Sequence, residues 1–135
     1  MDVPLSAART SRSKRRPTLV VTALILTLVA TGCAQYRDSV VAAKESVVKT
    51  DLFRMRDAIH QYFEHRGRYP SSLDALVADG YLAKIPVDPF TSSKDTWITT
   101  RARRDPSKPS ADPGVNDVRS GADGTARDGS RYSDW

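Results

Sequence analysis

The sequence has little of what most enzymes and disulfide-framed domains are built on. It carries one cysteine, Cys33, in 135 residues, so no disulfide can form within the chain. It has two histidines, His60 and His65. They stand five apart and so off a common helix face, with no nucleophile placed beside them. No Ser-His-Asp or Cys-His arrangement, glycine-rich phosphate loop or metalloprotease motif is present, and an enzyme is not expected. Apolar residues make up 39% and mean hydropathy is −0.46. Part of that apolar content is gathered in one N-terminal run. The remainder is a small domain that a bound ion or a partner would help to stabilise.

Charge is lopsided. Arg9, Arg12, Lys14, Arg15 and Arg16 stand against Asp2 alone, and this cluster holds most of the net charge of +5. The rest is nearly balanced, which argues against nucleic acid as a partner. A basic cluster before an apolar run marks the cytoplasmic side of a membrane segment. The run Thr18–Ala30, TLVVTALILTLVA, has no charge. Extended to Ala34 it reaches the short limit of a bilayer-spanning helix. It also fits a lipoprotein signal peptide: a basic n-region, an apolar h-region, then Val29-Ala30-Thr31-Gly32-Cys33, small residues before a cysteine. On that reading Cys33 is the acylated first residue of the mature protein. The expected organisation is a basic leader at 1–17, a membrane segment or signal peptide at 18–34, and a head including its helix at 35–135.

From about Tyr36 to Arg66 there is neither proline nor glycine. Val41, Val48, Leu52, Met55, Ile59 and Tyr62 or Phe63 recur three, four or seven apart, which predicts one apolar face of a long helix. The helix is expected to begin in or near the apolar run. Gly67 is placed to cap it, with His65 and Arg66 in the last turn. Tyr69-Pro70 forces extended chain. Ser71 then reads as the N-cap of a short helix with Asp74 in its first turn, and Gly80 ends it. Tyr81, Leu82 and Ile85 are expected to pack back onto the long helix, ahead of a turn stiffened by Pro86 and Pro89. Thr96–Thr100 and Val115–Ser120 read as two short antiparallel strands, separated by a basic stretch with Pro106, Pro109 and Pro113 that has the composition of a mobile loop.

Beyond residue 120 come Asp123, Asp128 and Asp134, with glycines at 121, 124 and 129 and hydroxyls at Ser120, Ser130 and Ser133. Hard cations take several such oxygens from a flexible loop. The alternatives are ion-free Asp-Gly turns, or carboxylates ordered by pairing with Arg127 and Arg131.

The order of signals in Val47–Pro89, VVKTDLFRMRDAIHQYFEHRGRYPSSLDALVADGYLAKIPVDP, resembles the G-type major pseudopilin of type II secretion systems (general secretion pathway protein G), a relative of the type IV pilins. Asp117-Val118-x-Ser120-Gly121-Ala122-Asp123-Gly124 and the closing Asp134-Trp135 add to the likeness. The resemblance implies an α+β, pilin-like fold: a long helical spine, a short second helix, a small antiparallel sheet and a C-terminal loop. It implies Ca2+ at that loop, which makes Ser120, Asp123, Asp128 and Ser130 candidate ligands, and a Trp135 packed on the sheet. It implies a structural subunit of a periplasmic pseudopilus, anchored in the bacterial inner membrane. The partners would be further copies or other pseudopilins, the inner-membrane secretion platform and the lipid bilayer. The N-terminus departs from the family pattern. Arg16 stands for the glycine at the cleavage point, Pro17 for the phenylalanine, and Val21 for the glutamate that aligns neighbouring subunits. Those departures favour a second expectation: a membrane-anchored lipoprotein whose pseudopilin-like head serves as an accessory or binding module.

Overall fold

The structure is a computed structural model that describes residues 17–135; the side chains of 17–19, 29–31, 33 and 34 are outside the described set. The basic leader therefore lies almost wholly outside the described residues, as does the side chain of Cys33. The architecture is mixed α+β. Helix α1 spans Pro17–Arg66 and α2 spans Leu73–Ala78. Strands β1 (Ile98–Arg101) and β2 (Val115–Arg119) form a two-stranded antiparallel sheet, and a 3-10 turn covers Tyr132–Asp134. The chain divides into two compact units, one running through Arg37 and one from Asp38 to Trp135.

In the first unit the stretch of α1 from Val20 to Leu28 carries no charged residue. Val20, Val21, Leu24, Ile25, Leu26 and Leu28 are all exposed. An uncharged helical stretch whose large apolar residues are all exposed lacks the buried face of a surface helix in a globular domain. No helix, judged on the described residues alone, is long and apolar enough to cross a membrane. The 50-residue α1 starts well before Tyr36, in the apolar run itself.

In the second unit the periodicity of α1 becomes one-sided. Val48, Leu52, Met55, Ala58, Ile59 and Tyr62 are buried against Leu73, Leu76, Trp97, Val115 and Val118. The two candidates for the last position separate here: Tyr62 enters the core, whereas Phe63 stays 38% exposed and stacks on Tyr69 at 4.4 Å. Gly67 takes φ 65° and its amide bonds back to the Phe63 carbonyl, as a left-handed cap requires. Tyr81, Leu82 and Ile85 close over the same face.

Two expectations need correction. The N-cap of α2 is Ser72 rather than Ser71: the Ser72 hydroxyl accepts from the Ala75 amide, while Ser71 is exposed. Both serines precede Leu73, and burial of Leu73 and Leu76 decides which of them caps. β1 also begins two residues later than Thr96. Trp97 turns into the core and its indole N–H donates to the Pro86 carbonyl at 2.8 Å, so the ladder starts at Ile98, opposite Arg119.

Candidate functional site

The C-terminal segment is where sequence chemistry and structure can be compared most closely. Its anchor is Asp88, which sequence reasoning did not single out. Asp88 is fully buried. Its amide donates to the Ser93 carbonyl and its own carbonyl accepts from Ser92, closing the turn that follows Pro86. One carboxylate oxygen accepts from the Phe90 amide at 2.8 Å and the other from the Ser120 hydroxyl at 2.7 Å. Ser120, also fully buried, accepts in turn from the Ala122 amide. A buried carboxylate is tolerated when its lone pairs are satisfied, and this chain of bonds ties the turn to the end of β2.

Past that junction, Ala122, Ala126 and Tyr132 form a second small cluster with Phe90 and Trp135. Tyr132 stacks on Phe90 at 4.2 Å and meets Trp135 edge-on at 5.1 Å. Two charged residues of α1 fasten this cluster. Glu45 accepts from the Arg127 amide at 3.0 Å and from the Tyr132 hydroxyl at 3.2 Å. Burial, helped by Glu45, raises the Tyr132 phenol above its ordinary value. Lys49 lies over the Trp135 ring at 4.1 Å and pairs with Asp128 at 3.7 Å. Arg56 plays the same part at the sheet, donating to Asp117 at 2.8 Å and to the Val118 carbonyl at 2.9 Å.

Of the four candidate calcium ligands, the structure brings Asp128 and Ser130 together. Both the amide and the hydroxyl of Ser130 donate to one Asp128 oxygen, at 2.9 and 2.6 Å. Those two bonds, with Lys49 adding to them, hold the Asp128 carboxyl below the usual carboxylate range. Asp123 is exposed on the neighbouring turn, and the Ser120 hydroxyl is committed to Asp88. Asp128, Ser130 and Asp123 are oxygen donors on one short loop of the kind a hard cation takes; Ser120 is a structural donor. Among the described residues no three His, Cys, Asp or Glu side chains are gathered at one point. The cation that pairs with Asp128 is Lys49 of α1, whereas the alternative open in the sequence was pairing of the carboxylates with Arg127 and Arg131. Trp135 packs against Tyr132 and beneath Lys49, at the margin of the core that includes the sheet.

The histidines take ordinary helix roles. His60 pairs with Glu64 at 3.2 Å and His65 meets the Tyr81 hydroxyl at 3.2 Å. A groove of about 600 Å³ runs between α1 and the segment 81–87. It is lined by Phe53, Leu82, Ile85 and Val87 with Asp51 and Arg54 at its edge. Asp51 is nearly buried there, and burial outweighs Arg54 to raise its carboxyl above the ordinary value, with Asp88 pushing the same way.

The sequence signal that could have found Asp88 was its position between Pro86 and Pro89 in a turn already expected to be rigid. Nothing in the sequence marked Ser120 as its partner. Compared with known proteins, the chain matches no family model, no curated protein and no solved structure.

Proposed function

We propose that the chain is a structural subunit of a type II secretion pseudopilus. Its work on this reading is mechanical: many copies bundle their apolar helices, and the heads form the outside of a short periplasmic filament that helps move folded proteins across the outer membrane. The observation that carries the reading is the change of character along α1. One helix, Pro17–Arg66, exposes an uncharged apolar stretch at Val20–Leu28 and buries one apolar face in its second unit. The pairing of a long helix with a capped short helix, a two-stranded sheet and a fastened C-terminal segment supports the pilin-like form of the fold. In this reading the first unit of α1 sits in the inner membrane and the head in the periplasm. Asp123, Asp128 and Ser130 take calcium on the C-terminal loop.

One observation favours the lipoprotein alternative. The first turn of α1 contains no acidic residue, so the charge that aligns subunits in a pilin-like filament is missing. The intact mass of the membrane-extracted protein separates the two readings. A retained, unacylated apolar segment supports the filament subunit. A mature chain beginning at an acylated Cys33, with processing lost in Cys33→Ala, supports the accessory lipoprotein.

A further inference from the structure

We propose that the open edge of β1 is a self-association site, where two copies of this chain pair their β1 strands antiparallel about Thr99. The hydrogen bonds around the sheet fix which backbone groups are free. On β2, the Val118 carbonyl accepts from Arg56 and the Val115 amide donates to the Pro70 carbonyl, so both residues turn their backbone groups away from β1. Thr99 pairs with Val118 and Arg101 with Val115. Opposed residues in an antiparallel ladder either bond each other or both face outward. Thr99 and Arg101 therefore present N–H and C=O groups to the far side. The Ala102 amide, which bonds to Gly114, continues the alternation.

The two edges of the sheet differ. That of β2 is closed by Arg56 and Pro70. On the β1 side, among the described residues, no backbone group outside the ladder bonds to Ile98, Thr99 or Thr100. All four β1 side chains are exposed, Ile98 by 52%. An exposed edge of β-branched residues is a template for another strand.

Charge selects the register. Centred on Thr99, the pairing sets Thr99 against its own copy and Ile98 against Thr100. Beyond the strand ends, where residues 94 and 95 form a bend, the same register brings Arg103 toward the second copy's Asp95, twice by symmetry. Arg103 and Asp95 are exposed, and among the described residues neither side chain has an ion-pair partner. Recentring on Thr100, a two-residue slip of register, would bring Asp95 toward Asp105, and like charges directly opposite are unfavourable. The next pair outward, Lys94 and Arg104, is also like-charged, but Arg104 turns aside to the Pro109 carbonyl. So short a pairing buries less than the roughly 1,000 Å² of a stable interface, so the association is weak and is best trapped covalently. A two-fold contact cannot repeat along a polar filament. The pairing therefore belongs to unassembled copies and stands independently of the proposed function.

The test is oxidative cross-linking of the full chain in detergent. The parent chain, with Cys33 as its only cysteine, is the control. Thr99→Cys is expected to give a disulfide-linked dimer whose linked peptides join position 99 to position 99, because paired Cα atoms about 5.5 Å apart suit a disulfide. Arg103→Asp in that background should lower the yield about fivefold, and adding Asp95→Arg should restore it. Absence of the 99–99 link would overturn the proposal. So would a link at Ser107→Cys of equal yield, or a charge reversal without effect.

Discussion

Asp88 and Ser120 are 32 positions apart in sequence and 2.7 Å apart in space. Removing the hydroxyl leaves a buried carboxylate oxygen short of its donor, so Ser120→Ala should destabilise the head by about 1–3 kcal/mol. Thermal melting measures this, and an unchanged melting temperature would show that water replaces the donor. Beside it, Gly121 is required by space. A Cβ there would stand 2.0 Å from the Thr96 carbonyl oxygen, so Gly121→Ala must displace backbone, at a cost of about 1–3 kcal/mol or more. Asp51 gives a pH prediction. Its folded carboxyl is raised, so the charged form costs stability above that raised value. The cost disappears as pH falls through it toward the unfolded value. Asp51→Asn should remove this dependence and leave the head at least as stable at pH 7, as a pH series of melting curves would show. Asp128 runs oppositely: its lowered folded carboxyl contributes stability above the unfolded value, and that contribution is lost at lower pH. Little at this scale was legible. A sequence shows that Asp88 lies in a rigid turn and Ser120 after a strand, but their bond depends on how two distant segments meet. The oxygen-rich tail was visible as a composition, and the lysine that fastens it was not, because Lys49 lies 79 positions before Asp128 on a helix face that sequence assigns to solvent.

At the scale of elements, the apolar spacing of α1 was the most readable feature, since a 3.6-residue period survives any detail of packing. Leu52 and Ile59 are both 2% exposed. Replacing either by Ala should cost about 2–5 kcal/mol in the melting or denaturant transition. Phe53, one position along and 70% exposed, should tolerate the same change within about 0.5 kcal/mol. Equal effects at 52 and 53 would mean the face is misassigned. Element ends were less legible. The cap of α2 slipped by one serine and β1 by two residues, because burial of Leu73 and Trp97 decides between local signals of similar strength. The C-terminal segment supplies the next prediction. Calcium should raise the melting temperature, since a ligand bound only by the folded state stabilises it, and Asp123→Ala should abolish the rise. No heat on titration and no melting shift at millimolar calcium would leave Glu45 and Lys49 as the fastening of the segment.

At the scale of the whole molecule, the α+β class could be read from the sequence because its elements are short, separated by glycine and proline, and patterned with distinct periods. The pilin-like reading goes further. It rests on a helix that passes from an exposed, uncharged apolar stretch to a one-sided buried face, on a head fastened to that helix by Glu45, Lys49 and Arg56, and on a resemblance carried by ordered motifs. The first turn of α1 carries no acidic residue, which makes assembly the property to measure. The direct measurement is electron microscopy of filaments sheared from cells that overproduce the chain together with a type II secretion platform, with the chain identified in them by antibody. The account predicts short filaments that contain the chain and are lost when Leu24 and Leu28 in the apolar part of α1 are changed to Asp. Membranes that hold the full-length chain at the same level but shed no filament containing it would contradict the account.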